Sequence, residues 1–315
     1  MVARTRRPRK QKPQVTSEMN LMKLVDQFHS DERCREYLEQ LRWPDGVTCP
    51  RCESTKCYYT STRATWECDS CGYHFSVTSG TMLHDTHLPL KKWLMAVYLM
   101  VEARKGISAL QLKRTLGVAY KTAWYLSHRI RAAVRESYPL PLKGIVEIDE
   151  TFVGGKVEGM GRGYKGNKAV VVGAVERGGK IVLEVIRGRD RETLHGFIDD
   201  FTADETEAYF TDDWAPYDGI ADSNTRHETV NHSLDEWARG DIHTNSIEGV
   251  WSLLKRSIIG SYHKVSVKHL NAYLDELEWR FNNRDNPYLF RDTLLRLLEA
   301  EHVEYEELVG SYSPS

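Results

Sequence analysis

Four cysteines stand in two close pairs, Cys49-Pro50-Arg51-Cys52 and Cys68-Asp69-Ser70-Cys71, with 15 residues between them. Each pair can present two thiolates to one tetrahedral ion, and the spacing is that of a zinc ribbon. A site closed by four sulfurs leaves the metal no open position, so Zn²⁺ here has a structural role and no catalytic one. Two disulfides or a thioredoxin-like redox pair are the competing readings. No secretory signal is visible, and neither pair lies in a strand-helix-strand pattern, so zinc is favoured. Cys34, Cys57, His74, His84 and His87 read as ordinary side chains, although any of them could replace a cysteine ligand.

A second set of residues is acidic. Asp149, Asp212 and Glu248 fall on three separate elements, and hard oxygen ligands so placed suit Mg²⁺ or Mn²⁺ while keeping positions open for water and phosphate. Two such ions, ~4 Å apart, activate the attacking oxygen and stabilise the leaving one in an in-line displacement at phosphorus. In a chain with 45 Asp and Glu residues, any one acid is most often solvated surface, so the arrangement matters more than its members.

The elements that must hold these acids are legible in the hydrophobic pattern. Residues 145–153 alternate as a strand, with Val146 and Ile148 on one face and Glu147, Asp149 and Thr151 on the other, ending at Gly154-Gly155. An apolar run over 169–175, the Gly178-Gly179 hairpin signal and a return run over 181–186 imply three antiparallel strands. A helix over 191–201, a strand over 208–211 leading into Asp212, and a possible fifth strand over 228–230 follow. From about Asn245, the apolar Ile247, Trp251, Leu254 and Ile258 recur at helical spacing. Beside them runs a polar stripe of Asn245, Glu248, Ser252 and Lys255 that turns Glu248 toward the strand ends. Lys255, two turns beyond Glu248, is placed to contact a DNA phosphate. This order resembles a ribonuclease H-like core, and the fold class expected is α/β in a multidomain α+β chain.

Ahead of that core, residues 58–62 and 64–67 read as short strands around the cysteines. Residues 88–104 read as a helix closed by Gly106. Ser108 is a plausible cap for a helix through Leu116. Gly117 supplies a turn, and a second helix runs from Lys121 to Arg135, with Ala123, Leu126 and Ile130 inward. This is a helix-turn-helix candidate whose outer face carries Lys121, Tyr125 and His128, within reach of bases or phosphates in a major groove.

The charge of the chain is divided. Residues 1–144 hold 24 Lys and Arg against 13 Asp and Glu, net +11, and residues 145–315 hold 19 against 32, net −13, within a total of −2 over 315 residues. A basic front supplies phosphate contacts, while an acidic back needs bound cations before it can approach DNA. The longest apolar run, Trp93 to Val101, is under half the ~20 residues needed to cross a bilayer. The boundaries expected are a disordered basic arm over 1–18, N-terminal helices and zinc ribbon over 19–80, and the helix-turn-helix region over 81–140. The catalytic domain follows over 141–290 and a C-terminal helix and tail over 291–315.

The segments CPRC, CDSCG, GISALQLKRTLGVAYKTAW, VEIDETFVGG, TDDWAPY, HTNSIEGVWSLLKRSIIGSYH and FNNR span most of the chain. Together they resemble the insertion-sequence DDE transposases of the branch with an N-terminal zinc ribbon and an ISXO-type catalytic domain. The resemblance implies Asp149, Asp212 and Glu248 as first, second and third acids, with 35 residues between the last two. It also implies Glu248 and Lys255 as the family's glutamate-plus-basic-residue helix. Asp213 is the neighbour that competes with Asp212. Asn245 competes with Glu248, because some branches use asparagine in that role. The implied reaction is divalent-metal-dependent nicking at the terminal inverted repeats of a transposon. Attack of the freed 3′ hydroxyl on target double-stranded DNA follows, with two Mg²⁺ (or Mn²⁺) per site and one structural Zn²⁺ per chain. Joining two ends calls for a homodimer or higher oligomer, and the expected location is cytoplasmic, on the nucleoid. A domesticated DNA-binding regulator or a nuclease of the same fold is the alternative.

Overall fold

The computed structural model of the protein describes residues 19–136, 139–154, 168–221, 223, 225–230 and 240–310. The expected basic arm over 1–18, Gly155 and the end of the tail lie outside the described residues. The chain divides into two compact units. Among the described residues, one comprises 19–103, Ala109–Val134 and Asp285–Gly310; the other comprises Arg104–Ser108 and those between Arg135 and Arg284.

The first unit opens with α1 (Leu21–Gln27) and α2 (Asp31–Arg42), whose caps Asn20 and Ser30 accept the amides of Lys23 and Arg33. A three-stranded antiparallel meander follows, formed by β1 (Cys57–Thr60), β2 (Thr65–Cys68) and β3 (His74–Phe75). The two-residue β3 is absent from the sequence reading, because so short a run has no alternation to detect. Tyr59, Trp66 and Phe75 close its core around Cys49 and Cys68, and the Trp66 indole donates to Glu39 Oε1 of α2 across 3.1 Å. Then come α3 (Leu90–Glu102), α4 (Ala109–Leu116) and α5 (Tyr120–Val134). Gly117, at φ +60°, makes the turn between the last two.

The second unit is a mixed sheet with helices on both faces. Its elements are β4 (Leu142–Val153), β5 (Ala169–Glu176), β6 (Ile181–Ile186), α6 (Arg191–Phe201), β7 (Thr202–Asp212), β8 (Arg226–Val230), α7 (Asn245–Ser257) and α8 (Leu270–Asn282). The strand order is β6-β5-β4-β7-β8, antiparallel among β4, β5 and β6 and parallel among β4, β7 and β8. The three consecutive antiparallel strands are those expected from the sequence, whereas a 3-10 turn, Ala215–Tyr217, stands between β7 and β8. Side chains alternate across the sheet. Val146, Ile148, Val172 and Ala174 pack on Leu194 and Phe197 of α6, while Val153, Val171 and Leu183 pack on Ile247, Trp251 and Leu254 of α7 and Leu274 of α8. The polar stripe of β4 therefore lies under α7, and Glu147 is fully buried.

Strand β7 begins six residues earlier than its hydrophobic run. Asp204, Glu205 and Glu207 disfavour a strand locally, but pairing with β4, which starts at Thr202, overrides that preference; β8 joins only from Ala208 onward. The C-terminal helix α9 (Leu289–Glu299), set apart as a terminal segment in the sequence reading, packs within the first unit on α2, α3 and α5 through a stripe that includes Phe290, Leu294 and Leu297. A short α10 (Tyr305–Val309) lies against α5.

Candidate functional site

In the first unit, the four cysteine sulfurs lie within 4.8 Å of one another. Cys49 and Cys71 Sγ are 3.7 Å apart, and Cys52 and Cys68 Sγ 3.6 Å. Four ligands at ~2.3 Å from a tetrahedral Zn²⁺ stand about 3.8 Å from each other, so these spacings fit one zinc. Local turns shape each half of the site. The Glu53 amide returns to Cys49 O and the Gly72 amide to Cys68 O, and the residue after the second cysteine of each pair is left-handed, at φ 59° and 68°. Ser54 and Ser70 join the two knuckles by a 2.7 Å hydroxyl contact. Cys34 is buried in α2, where desolvation pushes its thiol up to about 11. Burial likewise holds Cys57 near 11, so both are unreactive thiols outside the cluster.

In the second unit, Asp149 occupies the middle of β4 opposite Gly173 of β5. On its other side, Glu147 pairs with Phe210 of β7. The parallel register carried two residues onward sets Asp149 beside Asp212. Glu248 stands in the first turn of α7. An open cavity of about 650 Å³ brings Asp149, Glu150 and Glu248 together with Trp251, Ser252 and Lys255. Lys105 and Arg256 also reach it, so three cations rim the acids. Lys105 is carried by a segment that docks through Gly106. That residue has φ +70°, and a Cβ there would meet the Tyr262 hydroxyl at 1.7 Å. At the far end of α7 a π-helical turn, Ile258–Tyr262, leaves Ile259 exposed at the cavity.

The electrostatics tie the acids to one another. Burial first, then the charges of Asp212 and Glu248, push the Asp149 carboxyl up to about 6, against the indole N–H of Trp251, which donates to Asp149 Oδ2 at 2.8 Å. Burial and the charge of Asp149 push Glu150 up to about 7, opposed by the Tyr217 hydroxyl that donates to its Oε2 at 2.7 Å. Glu150 Oε1 is buried without a hydrogen-bond partner. Asp212 also acts on Glu150 and Tyr217, whereas Asp213 is exposed and its amide pairs with Val230 O of β8. Asn245, unlike Glu248, does not line the cavity. Among the described residues, the four cysteines are the one group of three or more His, Cys, Asp or Glu whose ligand atoms all close to within 4.8 Å; Asp149, Asp212 and Glu248 do not close that tightly as a set.

Residues 141–282 match the ISXO2-like transposase domain, and residues 29–74 match the transposase zinc-ribbon domain. Over 277 residues the chain is 30% identical to an uncharacterized protein in transposable element ISH50 of Halobacterium salinarum, covering 81% of this chain and 92% of that protein. The chain belongs to the ISXO2-like transposase family. It is also 33% identical over 76 residues to an uncharacterized transposase-like protein of Haemophilus influenzae, covering 24% of this chain and 60% of that one. Among solved structures, the Mos1 strand transfer complex is similar at TM-score 0.30 and 12% identity, over 65% of this chain and 75% of that chain. A pre-cleavage Mos1 transpososome is similar at TM-score 0.25 and 12% identity, over 66% and 79%.

In this transposase the outer face expected on α5 is only partly open: Lys121 is exposed, and the other two side chains are covered. His128 is 2% exposed and stacks on Trp124 at 4.1 Å. The Tyr125 hydroxyl donates to Val303 O at 3.3 Å, and Lys121 Nζ lies 4.6 Å over the ring of Tyr305. The reason is tertiary: residues 302–309 run along this face, so its polar side chains meet protein. Four site features of the transposase escape a sequence reading. Trp251 reads as core by its spacing, yet its indole edge reaches Asp149. Glu150 reads as the back of a strand, yet it lines the cavity. Arg189 stacks over Phe152 and Trp214 at 4.9 and 4.6 Å and favours the ionised form of Glu150. Glu147, fully buried, and the half-buried Arg177 form an ion pair at 2.7 Å between residues 30 apart. No helix of the described residues is long and apolar enough to cross a membrane.

Proposed function

We propose that this transposase binds the terminal inverted repeats of its insertion sequence and carries out strand cleavage and strand transfer, with Asp149, Asp212 and Glu248 holding two Mg²⁺ or Mn²⁺ ions. The observation that carries this reading is that Asp149 and Glu248 line one cavity together with Lys255. The donor set fits hard divalent cations. Its ligands are carboxylate oxygens, and burial with mutual repulsion has already made Asp149 reluctant to ionise alone. Bound there, the ions supply activation of the attacking oxygen and neutralisation of charge at phosphorus.

The protein's own groups do the rest. Lys255, Lys105 and Arg256 hold the phosphate backbone at the rim, and Trp251 fixes the rotamer of Asp149 so that one oxygen stays turned to the cavity. Asp212 is preferred to Asp213 because its charge acts on Asp149 and Glu150. Glu248 is preferred to Asn245 because it lines the cavity. Lys121 remains the candidate DNA contact on α5; Tyr125 and His128 are engaged with protein. Double-stranded DNA is thus the substrate, in the cytoplasm, and joining two transposon ends requires at least two protomers.

The test is Asp149→Ala. It should bind a duplex of the terminal repeat as the wild type does and lose Mg²⁺-dependent cleavage and strand transfer. Undiminished cleavage would remove Asp149 from the site.

A further inference from the structure

Glu147 lies two residues before Asp149 on the same face of β4 and is fully buried. Both of its oxygens are in use. Oε2 accepts the backbone amides of Ser246 at 2.7 Å and Ile247 at 3.1 Å, and Oε1 accepts the Ser246 hydroxyl at 2.9 Å and the Arg177 Nε at 2.7 Å. Those amides are orphan donors of the first turn of α7, whose own cap residue, Thr244, makes no side-chain cap bond. Arg177 is fixed in turn. It donates to Asp241 O at 2.7 Å and to His243 O at 3.0 Å, and it lies 4.6 Å over the ring of Phe210 in β7.

We infer that Glu147 is a positioning residue that sets Glu248 against Asp149, with Arg177 as its counter-charge. One carboxylate caps the helix that bears the third acid from the strand that bears the first. The Trp251 to Asp149 bond makes a second tie one turn further along, and Glu248 stands between the two. Two fixed points on a rigid helix determine both its advance along the strand and its rotation. With no oxygen left over, Glu147 is not a metal ligand. It acts through the helix alone, and a helix shift of one ångström would alter a two-ion site more than it alters the core.

This inference rests on the metal-dependent reading above, and the experiment separates the two. Glu147→Gln keeps the shape and one acceptor but removes the charge that holds two amides and Arg177. Measured by electron paramagnetic resonance of free Mn²⁺ on the full chain, its Mn²⁺ affinity should fall about 10-fold, the loss typical of groups that orient metal ligands. The Mn²⁺ concentration for half-maximal cleavage should rise in step, with terminal-repeat binding and circular dichroism unchanged. Glu147→Asp keeps the charge but draws the carboxylate back by one methylene, and should weaken Mn²⁺ binding in the same direction by less. Wild-type Mn²⁺ affinity in whichever of these variants folds would overturn the positioning role. Asp149→Asn is the separate control: if it still binds Mn²⁺ and cleaves, the metal-site reading itself fails, whatever Glu147 does.

Discussion

The indole N–H of Trp251 donates to Oδ2 of Asp149 across 2.8 Å, and the room for that indole comes from a missing side chain on the next strand. Gly173 pairs with Asp149 in the β4/β5 register, and a Cβ there would stand 2.6 Å from Trp251 Cη2. Gly173→Ala should therefore displace α7 at the point that orients the first acid. Overpacking of this kind costs about 1–3 kcal/mol. Thermal unfolding and cleavage assays should show both a lower Tm and a slower reaction. Trp251→Phe removes both the donor and the outer ring of the indole that fills the space beside Gly173, so it should cost about 1–3 kcal/mol and slow cleavage. Cleavage unaffected by Trp251→Phe would mean that the bond does not orient Asp149.

The neighbouring acids separate by substitution. Asp212→Asn should abolish Mg²⁺-dependent cleavage, and Asp213→Asn should leave it within a few-fold of wild type, because the charge of Asp212 bears on Asp149 whereas Asp213 is exposed at the strand end. The reverse result would reassign the second ligand.

For the ribbon, the purified protein should contain about one zinc per chain, and Cys49→Ser with Cys52→Ser should release it. Cys49 and Cys68 are buried at the centre of the ribbon core, so metal loss should unfold that sheet and quench the Trp66 environment. A fully folded ribbon in the metal-free wild type would contradict the assignment.

Tyr305 stands between α5 and solvent, with Lys121 over its ring and Trp124 and Tyr125 against its edge. Tyr305→Ala should loosen that cover and strengthen binding to duplex DNA, with a steeper salt dependence as Lys121 gains a phosphate. Gel-shift titrations at two ionic strengths measure both. Weaker binding would mean that the segment itself contributes to DNA contact.

Asp275 gives a pH dependence independent of the candidate site. Burial pushes its carboxyl up to about 7, against the opposing charge of Arg135. An unfolded aspartate releases its proton near pH 4, whereas the folded one holds it to about 7. Stability therefore falls as pH rises through that window and is level above it. Asp275→Asn should flatten the slope and stabilise the protein at pH 8, by at most ~4 kcal/mol at about 1.36 kcal/mol per unit. Denaturant titrations at pH 5 and pH 8 measure the difference.

What the sequence determined by itself was local. Two CxxC pairs set a metal site through turns of a few residues, and the period of Ile247, Trp251 and Leu254 set a helix with Glu248 beside its buried stripe. The bounds of β6 and α6 also follow from hydrophobic runs and flanking turn residues, because those signals act within one element. Only the tertiary structure decided what long-range contacts decide. Glu147 meets Ser246 across 99 residues, Trp251 meets Asp149 across 102, and Tyr125 meets Val303 across 178. No periodicity encodes such pairs. A buried carboxylate and a solvated one look alike along the chain, and they differ only once another element takes the place of water.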